Sequence, residues 1–440
     1  MAAAHVAGVA ALMLSANPSY TPEMVEGKLC EFATRDAGVA FEPWIHVNDV
    51  AGFIGPEVFR SREQLVRCCL EDIAMGKLHG LTIGLDVCST LHMDVDLDDL
   101  DWCLDQIMPA NPAYLMALPT KNDPMLSYLT TSFHDHVRIR KKFGYRADDR
   151  MWQFYQALGV IDAAGEPTVH FGEPQWVYLQ YQRRKGDARS DEAILAEGRD
   201  QMEKVRSRGV FLAEGYGSES WSPPVELNDQ VRSLYADAKR SLWKELPESF
   251  VSQQASAIEL DSRARDRRDY ILHPPSGETL ASPSAARVAR LAEEYAGRYD
   301  MQIVLSDGLN AWSLLDEGHL APYLKSLYSA LDEAGYQTAP YELVLRNGRV
   351  RAGYRIGETL FGGSSTPDKR CGVVHVIGER PGSGHHAFSA YLTLASARDW
   401  SRLGSIDHDA TRVVSGIADS ALLPEIAARE TAKILRHWRS

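Results

Sequence analysis

The chain has 440 residues, 45% hydrophobic and 24% charged, a composition that excludes a disordered or fibrous protein and a length that suits two or three domains. Its 47 Lys and Arg stand against 60 Asp and Glu, giving −13, which argues against a nucleic-acid face and against an anionic membrane surface. Six irregularly spaced cysteines without a CxxC pair indicate neither a disulfide framework nor a thiolate zinc site, and the apolar run from Val6 to Leu14 is too short to span a bilayer.

Residues 1–44 read as two short helices. Met1 to Leu14 is rich in Ala and Leu, Ser15-Ala-Asn-Pro-Ser19 forms a turn, and Tyr20 to Leu29 is helical again. The stretch resembles the segment of subtilisin-like proteases that follows the catalytic serine. That nucleophile would stand ahead of Met1, Ala4 takes the usual proline position, and no Asp and His precede it, so proteolysis is not expected. His5 reads as a packed or surface histidine.

From Asn48 strand-like and helical runs alternate: Val50 to Phe59, Arg62 to Leu78, Leu81 to Thr90, Asp98 to Met108 and Ala113 to Pro119. This predicts parallel βα units, whose functional groups gather beyond the carboxyl ends of strands. Asp86, in Leu81-Thr-Ile-Gly-Leu-Asp-Val, falls there and is the foremost candidate site residue; a helix-cap or turn aspartate is the alternative. The acidic run Asp94 to Asp101 reads as a solvated helix start, because the glycine and glutamate of a calcium loop are missing. Cys88 and His92, four residues apart, do not close a metal shell.

The motifs Gly52-Phe-Ile-Gly-Pro-Glu57, Met75-Gly-Lys-Leu78, Gly84-Leu-Asp-Val-Cys88, Asn122-Asp-Pro-Met-Leu126 and Thr130-Thr-Ser-Phe-His-Asp135 carry a resemblance. Across residues 45–185 the chain resembles the C-terminal third of the large subunit of ethanolamine ammonia-lyase. The resemblance implies part of a TIM-type (β/α)₈ barrel with adenosylcobalamin over its mouth. It also implies a substrate ammonium at Asp86 and cofactor-facing positions at Phe53 and Met125. A closed barrel takes roughly 250 residues, more than this segment holds. The family's arginine, glutamine, asparagine and glutamate substrate ligands belong to its upstream part, and nothing in residues 1–44 replaces them.

Residues 186–225, charged and then turn-rich, read as a linker, and Leu227 to Leu246 has helical periodicity. A second α/β pattern follows. Met301 to Leu305 is a strand, Ser306-Asp-Gly-Leu-Asn310 a strand-to-helix turn, and Tyr323 to Ala334 an amphipathic helix closed by Gly335. Tyr341 to Leu345 and Val350 to Tyr354 flank Asn347-Gly348, a tight-turn signal of the kind that joins two strands. Gly372 to Ile377 is a buried strand running into Gly378-Glu-Arg-Pro-Gly-Ser-Gly384, a loop that lets a large ligand approach the backbone without being a nucleotide fingerprint.

The succession SDGLNA, RNGRV, IGE and IGERPG over residues 260–440 resembles the small subunit of the same family. It implies a fusion of the two subunits, a Rossmann-like α/β domain, and contacts to the lower part of cobalamin at Val350 and Glu379. The family's third contact, a cysteine, aligns near Val413. An ion pair with Arg380 or another arginine is the alternative for Glu379. The expected organisation is 1–44 helical, 45–185 partial barrel, 186–225 linker and 226–440 small-subunit-like. The expected activity is adenosylcobalamin-dependent conversion of ethanolamine to acetaldehyde and ammonia, incomplete in a single chain, with a non-catalytic cobalamin-binding or assembly fragment as the alternative. Expected partners are ethanolamine and an oligomer or a complete large subunit, without nucleic acid or membrane. The expected address is the cytoplasm, with a bacterial microcompartment as a narrower possibility.

Overall fold

Alternating apolar strands and capped helices build two α/β units, and the chain passes from the first to the second at Ser233 and Leu234. The computed structural model describes residues 46–52, 59–123, 127–207, 214–254, 256–380 and 386–439. The helices expected in residues 1–44 and the site positions Phe53 and Met125 lie outside the described residues.

In the first unit β1 (His46–Ala51), β2 (Thr82–Val87) and β3 (Tyr114–Leu115) form a parallel sheet in chain order. The crossovers carry α1 (Arg62–Leu78) and α2 (Leu97–Ile107). Helix α1 starts where the Ser61 hydroxyl accepts the Gln64 amide and the Gln64 side chain returns to the cap, and it buries Leu65, Cys69 and Ile73. The acidic run is the start of α2. Asp96 accepts from the Asp98 and Asp99 amides, Asp99 returns the bond, and the carboxylates sit at the positive end of the helix dipole. Leu97, Leu100, Leu104 and Ile107 form the buried stripe of α2. Helices α3 (Phe133–Phe143), α4 (Asp149–Leu158), α5 (Pro174–Arg184) and α6 (Asp191–Arg206) follow, and α7 (Val225–Leu242) begins in this unit and ends in the second.

The second unit holds β4 (Ala257–Asp261), α8 (Arg267–Leu272), α9 (Ser282–Tyr295), β5 (Met301–Ser306), α10 (Leu320–Glu333), β6 (Glu342–Arg346), α11 (Val350–Phe361), β7 (Arg370–Arg380), β8 (Ala387–Ser396), β9 (Thr411–Ile417) and α12 (Pro424–Arg439). Its sheet runs β4-β6-β5-β7-β8-β9, parallel from β4 to β7 and antiparallel beyond. The two-residue period of strands sorts the core. Met301, Ile303 and Leu305 of β5 join Tyr323 and Leu327 of α10 and Leu435 of α12 on one face. Val304 joins Val288 and Leu291 of α9 and Ile356 of α11 on the other. Cover on both faces explains the near-continuous apolar runs of β5 and β7.

The strand-to-strand reading of Asn347-Gly348 is corrected. The turn is there, with Asn347 at a φ of 50°, but it leads into the helix α11. Val350 to Tyr354 is too short for its alternation to exclude a helix. Burial at Ala352, Gly353, Ile356, Gly357, Leu360 and Phe361 recurs with the helical period once the whole element is seen. No helix among the described residues is long and apolar enough to cross a membrane.

Candidate functional site

Asp86 is the second-last residue of β2 and is buried, at 5% exposure. The segment following β3 folds back on the strand end: Leu129 exchanges backbone hydrogen bonds with Ser89, and the Thr130 amide donates to the Lys121 carbonyl. This brings the Thr130 hydroxyl to the Asp86 carboxylate as a donor, with the Tyr128 hydroxyl as a second. Burial pushes the Asp86 carboxyl above the usual carboxylate range; the two hydroxyl donors oppose that and the nearby Asp123 carboxylate adds to it. Among the described residues no Lys or Arg pairs with Asp86. Two neighbouring carboxylates at a buried strand end, oriented by neutral donors, make a place for a small cation. The buried Asn122 side chain, whose amide nitrogen and oxygen find no partner among the described residues, adds further polar capacity nearby in the chain.

The same burial fixes a sign. A carboxyl raised in the folded state stabilises the fold below the unfolded pKa, and that contribution is lost as pH rises through the folded value. Asp86→Asn is therefore expected to raise the melting temperature at neutral pH, with the gain shrinking towards about pH 4, the ordinary aspartate range. Melting curves unshifted at every pH would remove this electrostatic cost.

In the second unit the motif residues meet at the carboxyl ends of β5, β6 and β7. Gly308 has a φ of 53°, and a Cβ added there would lie 2.1 Å from the Gly378 carbonyl oxygen, which accepts the Asn310 amide at 2.8 Å. The Ser306 hydroxyl donates to the Gly348 carbonyl at 3.0 Å. The turn after β5 thus touches both neighbouring strand ends. Helix α10, reached from β5, and helix α11, reached from β6, cover opposite faces. Connections that leave adjacent strands in opposite directions open the crevice where α/β sheets take ligands.

Val350 opens α11 just beyond the Asn347-Gly348 turn after β6 and is half-buried. Glu379 is the extra residue of a β-bulge, where pairing passes from Gly378–Phe388 to Arg380–Ala387. Its side chain, and residues 381–385 of the loop, lie outside the described residues. Val413 faces Tyr391 across β9 and β8 and is exposed. Arg267, at the start of α8, and Asp307, directly after β5, are both buried at these strand ends.

Sequence reasoning named Asp86, Val350 and Glu379. Asp123, Thr130 and Asp307 lie inside the motifs given above without roles, and Tyr128 lies in none of them. Asp123 beside Pro124 and Asp307 beside Gly308 carried a turn signal, whereas Thr130 and Tyr128 carried none. Cys88 and His92 do not converge: the Cys88 thiol donates to the Ala51 carbonyl, and His92 Nδ1 lies 2.8 Å from the Thr90 hydroxyl. Asp49, Cys68 and Asp72 bring one possible ligand atom each within 4.8 Å of one another, but the Cys68 thiol already donates along α1 to Asp72 at 3.5 Å.

A buried carboxylate at one set of parallel strand ends and a glycine-tight crevice at another define an α/β protein of the kind that carries its ligand sites beyond strand ends. Residues 15–170 match the family described as ethanolamine ammonia lyase large subunit (EutB), and residues 213–440 match ethanolamine ammonia-lyase light chain (EutC). The first match starts at residue 15, ahead of the position 45 expected from the motifs. The large subunit of Escherichia coli K12 is 37% identical over 142 residues, 32% of this chain and 31% of that protein. The small subunit of Azotobacter vinelandii is 34% identical over 178 residues, 40% of this chain and 60% of that protein. For the small subunit of Ralstonia nicotianae the identity is 32% over 190 residues, 43% and 64% of the two chains. The chain belongs to the ethanolamine ammonia-lyase family of carbon–nitrogen lyases and joins a large-subunit domain to a small-subunit domain in one polypeptide. It spans about a third of the length of the large-subunit relatives and under two thirds of the small-subunit ones.

Proposed function

We propose that this chain serves adenosylcobalamin-dependent deamination of ethanolamine to acetaldehyde and ammonia, with the large-subunit domain holding the substrate and the small-subunit domain holding the lower part of the cofactor. The observation that carries the reading is the buried Asp86 carboxylate, raised in pKa and without a cationic side-chain partner among the described residues, at a parallel strand end. Such a group binds and orients an ammonium, and the Thr130 and Tyr128 hydroxyls fix its oxygens. What bound adenosylcobalamin supplies is radical chemistry at the carbinol carbon. The polypeptide's part is position and exclusion of water, with Phe53 and Met125 as apolar wall on the cofactor side.

By the resemblance, the second unit keeps two of the family's cofactor positions, Val350 and Glu379, and departs at a third. Gly308, Gly348 and Gly378 let the ends of β5, β6 and β7 pack closely, and Val350 and the bulged Glu379 follow from the last two. Val413 offers no sulfur where the family has cysteine. In this reading residues 45–185 are part of a TIM-type barrel, 186–225 a linker and 226–440 a Rossmann-like domain, working in the cytoplasm or a microcompartment within a complex that contains a complete large subunit. The short span against the large-subunit relatives favours a second reading, a fragment that binds cobalamin or assembles without turnover.

Equilibrium dialysis of the full chain against hydroxocobalamin tests what both readings share. Saturable binding is expected, weakened several-fold by Glu379→Ala and strengthened by Val413→Cys. A chain that takes up no cobalamin would sink both.

A further inference from the structure

Helix α8 sets one guanidinium against the turns that follow β5 and β6. Arg267 is 5% exposed. Its Nη1 donates to the Gly308 carbonyl at 2.7 Å, in the turn after β5, and to Asn347 Oδ1 at 3.2 Å, in the turn after β6. Its Nε donates to the Leu242 carbonyl at 2.8 Å, which anchors the group to the end of α7. Asp307 is fully buried, 3.6 Å from the same Nη1. Neither Asp307 oxygen makes a hydrogen bond of good geometry among the described residues, and Arg267 Nη2 has no partner there either.

Two charges buried together yet incompletely satisfied are a poor device for stability, because their desolvation is not recovered. They are a good device for geometry. One cation ties the two turns that lead to Val350 and to the Gly308–Gly378 contact, and one anion holds that cation in place. We propose that Arg267 and Asp307 are positioning residues for the cobalamin site, a buried pair that sets the separation of the β5 and β6 ends and through them the placement of Val350 and the Gly378 edge. The proposal rests on the cobalamin reading given above.

The charged groups facing Asp307 are Arg267 from α8, Glu245 beyond α7 and Arg346 at the end of β6. Glu245 accepts from the Asn347 side-chain amide at 3.0 Å, and Arg346 pairs with Glu259. Arg267 is thus the cation left to Asp307. Burial pushes the Asp307 carboxyl up to about 6, with Arg267 and the Asn347 backbone N–H opposing. The anion that holds Arg267 is present above that pH and lost below it.

The test is hydroxocobalamin affinity of the full chain by equilibrium dialysis across about pH 5 to 8, the range that spans the Asp307 titration, with circular dichroism and melting of each variant. Wild-type affinity is expected to fall about five- to tenfold from the alkaline to the acid end, the limit for one linked proton over about one pH unit. Asp307→Asn, an isosteric change, is expected to bind about tenfold more weakly at pH 7.5 and to show no fall in acid, while keeping its fold. Arg267→Lys keeps the charge but loses the fork, so it is expected to keep its fold by circular dichroism, to bind more weakly and to retain the acid fall. Should Asp307→Asn fail to fold, the lysine variant decides alone. Asparagine or lysine variants with wild-type affinity and profile would overturn the positioning role while leaving the cobalamin reading intact. Absence of wild-type binding would overturn both.

Discussion

Purified without other subunits and given adenosylcobalamin and ethanolamine, the chain is expected to release little or no ammonia. The described part of the first unit has three parallel strands, whereas a (β/α)₈ barrel closes with eight. Asp86 holds the ammonium in the proposed reading, and the same resemblance puts the groups that would grip the hydroxyl in the upstream part of the large subunit, of which the chain spans about a third. Each missing charged hydrogen bond is worth about 1.5 to 3 kcal/mol, so losing several lowers the rate by at least about 10⁴-fold. Orientation suffers as well, because a substrate held at one end does not keep its reacting carbon in line. An alcohol dehydrogenase assay that consumes acetaldehyde as it forms reads this directly. Sustained turnover well above a cofactor-free blank would mean that the chain supplies those ligands itself. Recovery of turnover on adding a complete large subunit is the expected counterpart.

Gly378→Ala is expected to cost the second unit about 3 to 5 kcal/mol, the upper range for a single overpacking change. The added methyl would lie 2.1 Å from the Asn310 carbonyl oxygen and 2.6 Å from that of Asp307, both backbone atoms. A flexible side chain could rotate away, but backbone at the junction of two core strands has to move as a unit. That movement would also break the 2.8 Å hydrogen bond from the Asn310 amide to the Gly378 carbonyl. Since whole domains are stable by only about 5 to 15 kcal/mol, the loss is a large share of the total. Native-state hydrogen exchange at the β5 and β7 amides, followed in denaturant, isolates this unit from the first. Protection equal to wild type would show that the strand ends have room the close contact denies.

Helix and strand existence was legible where one physical signal dominates. Arg62 to Leu78 and the acidic start of α2 are written in local chemistry, with caps, apolar spacing and dipole-compatible charge all within a few residues. Asp86 was legible because parallel βα units place functional groups after strands. The turn at Asn347-Gly348 was legible as a turn, yet its exit as a helix was not, because a five-residue window does not separate periods of 2 and 3.6.

By itself, then, the sequence determined the α/β class of both units, some of their strands (β2, β5, β6 and β7) and the motif residues that gather at strand ends, but not β4, β8 or β9. The partners of those residues were decided only by the tertiary structure. Thr130 meets Asp86 across 44 positions and Arg267 meets Asn347 across 80, separations over which no local pattern carries information. The order β4-β6-β5-β7, which puts Gly308 against Gly378, was decided in the same way. Strand order follows from which apolar faces pack together, a property of the whole core, whereas caps and turns are settled by the few residues that form them.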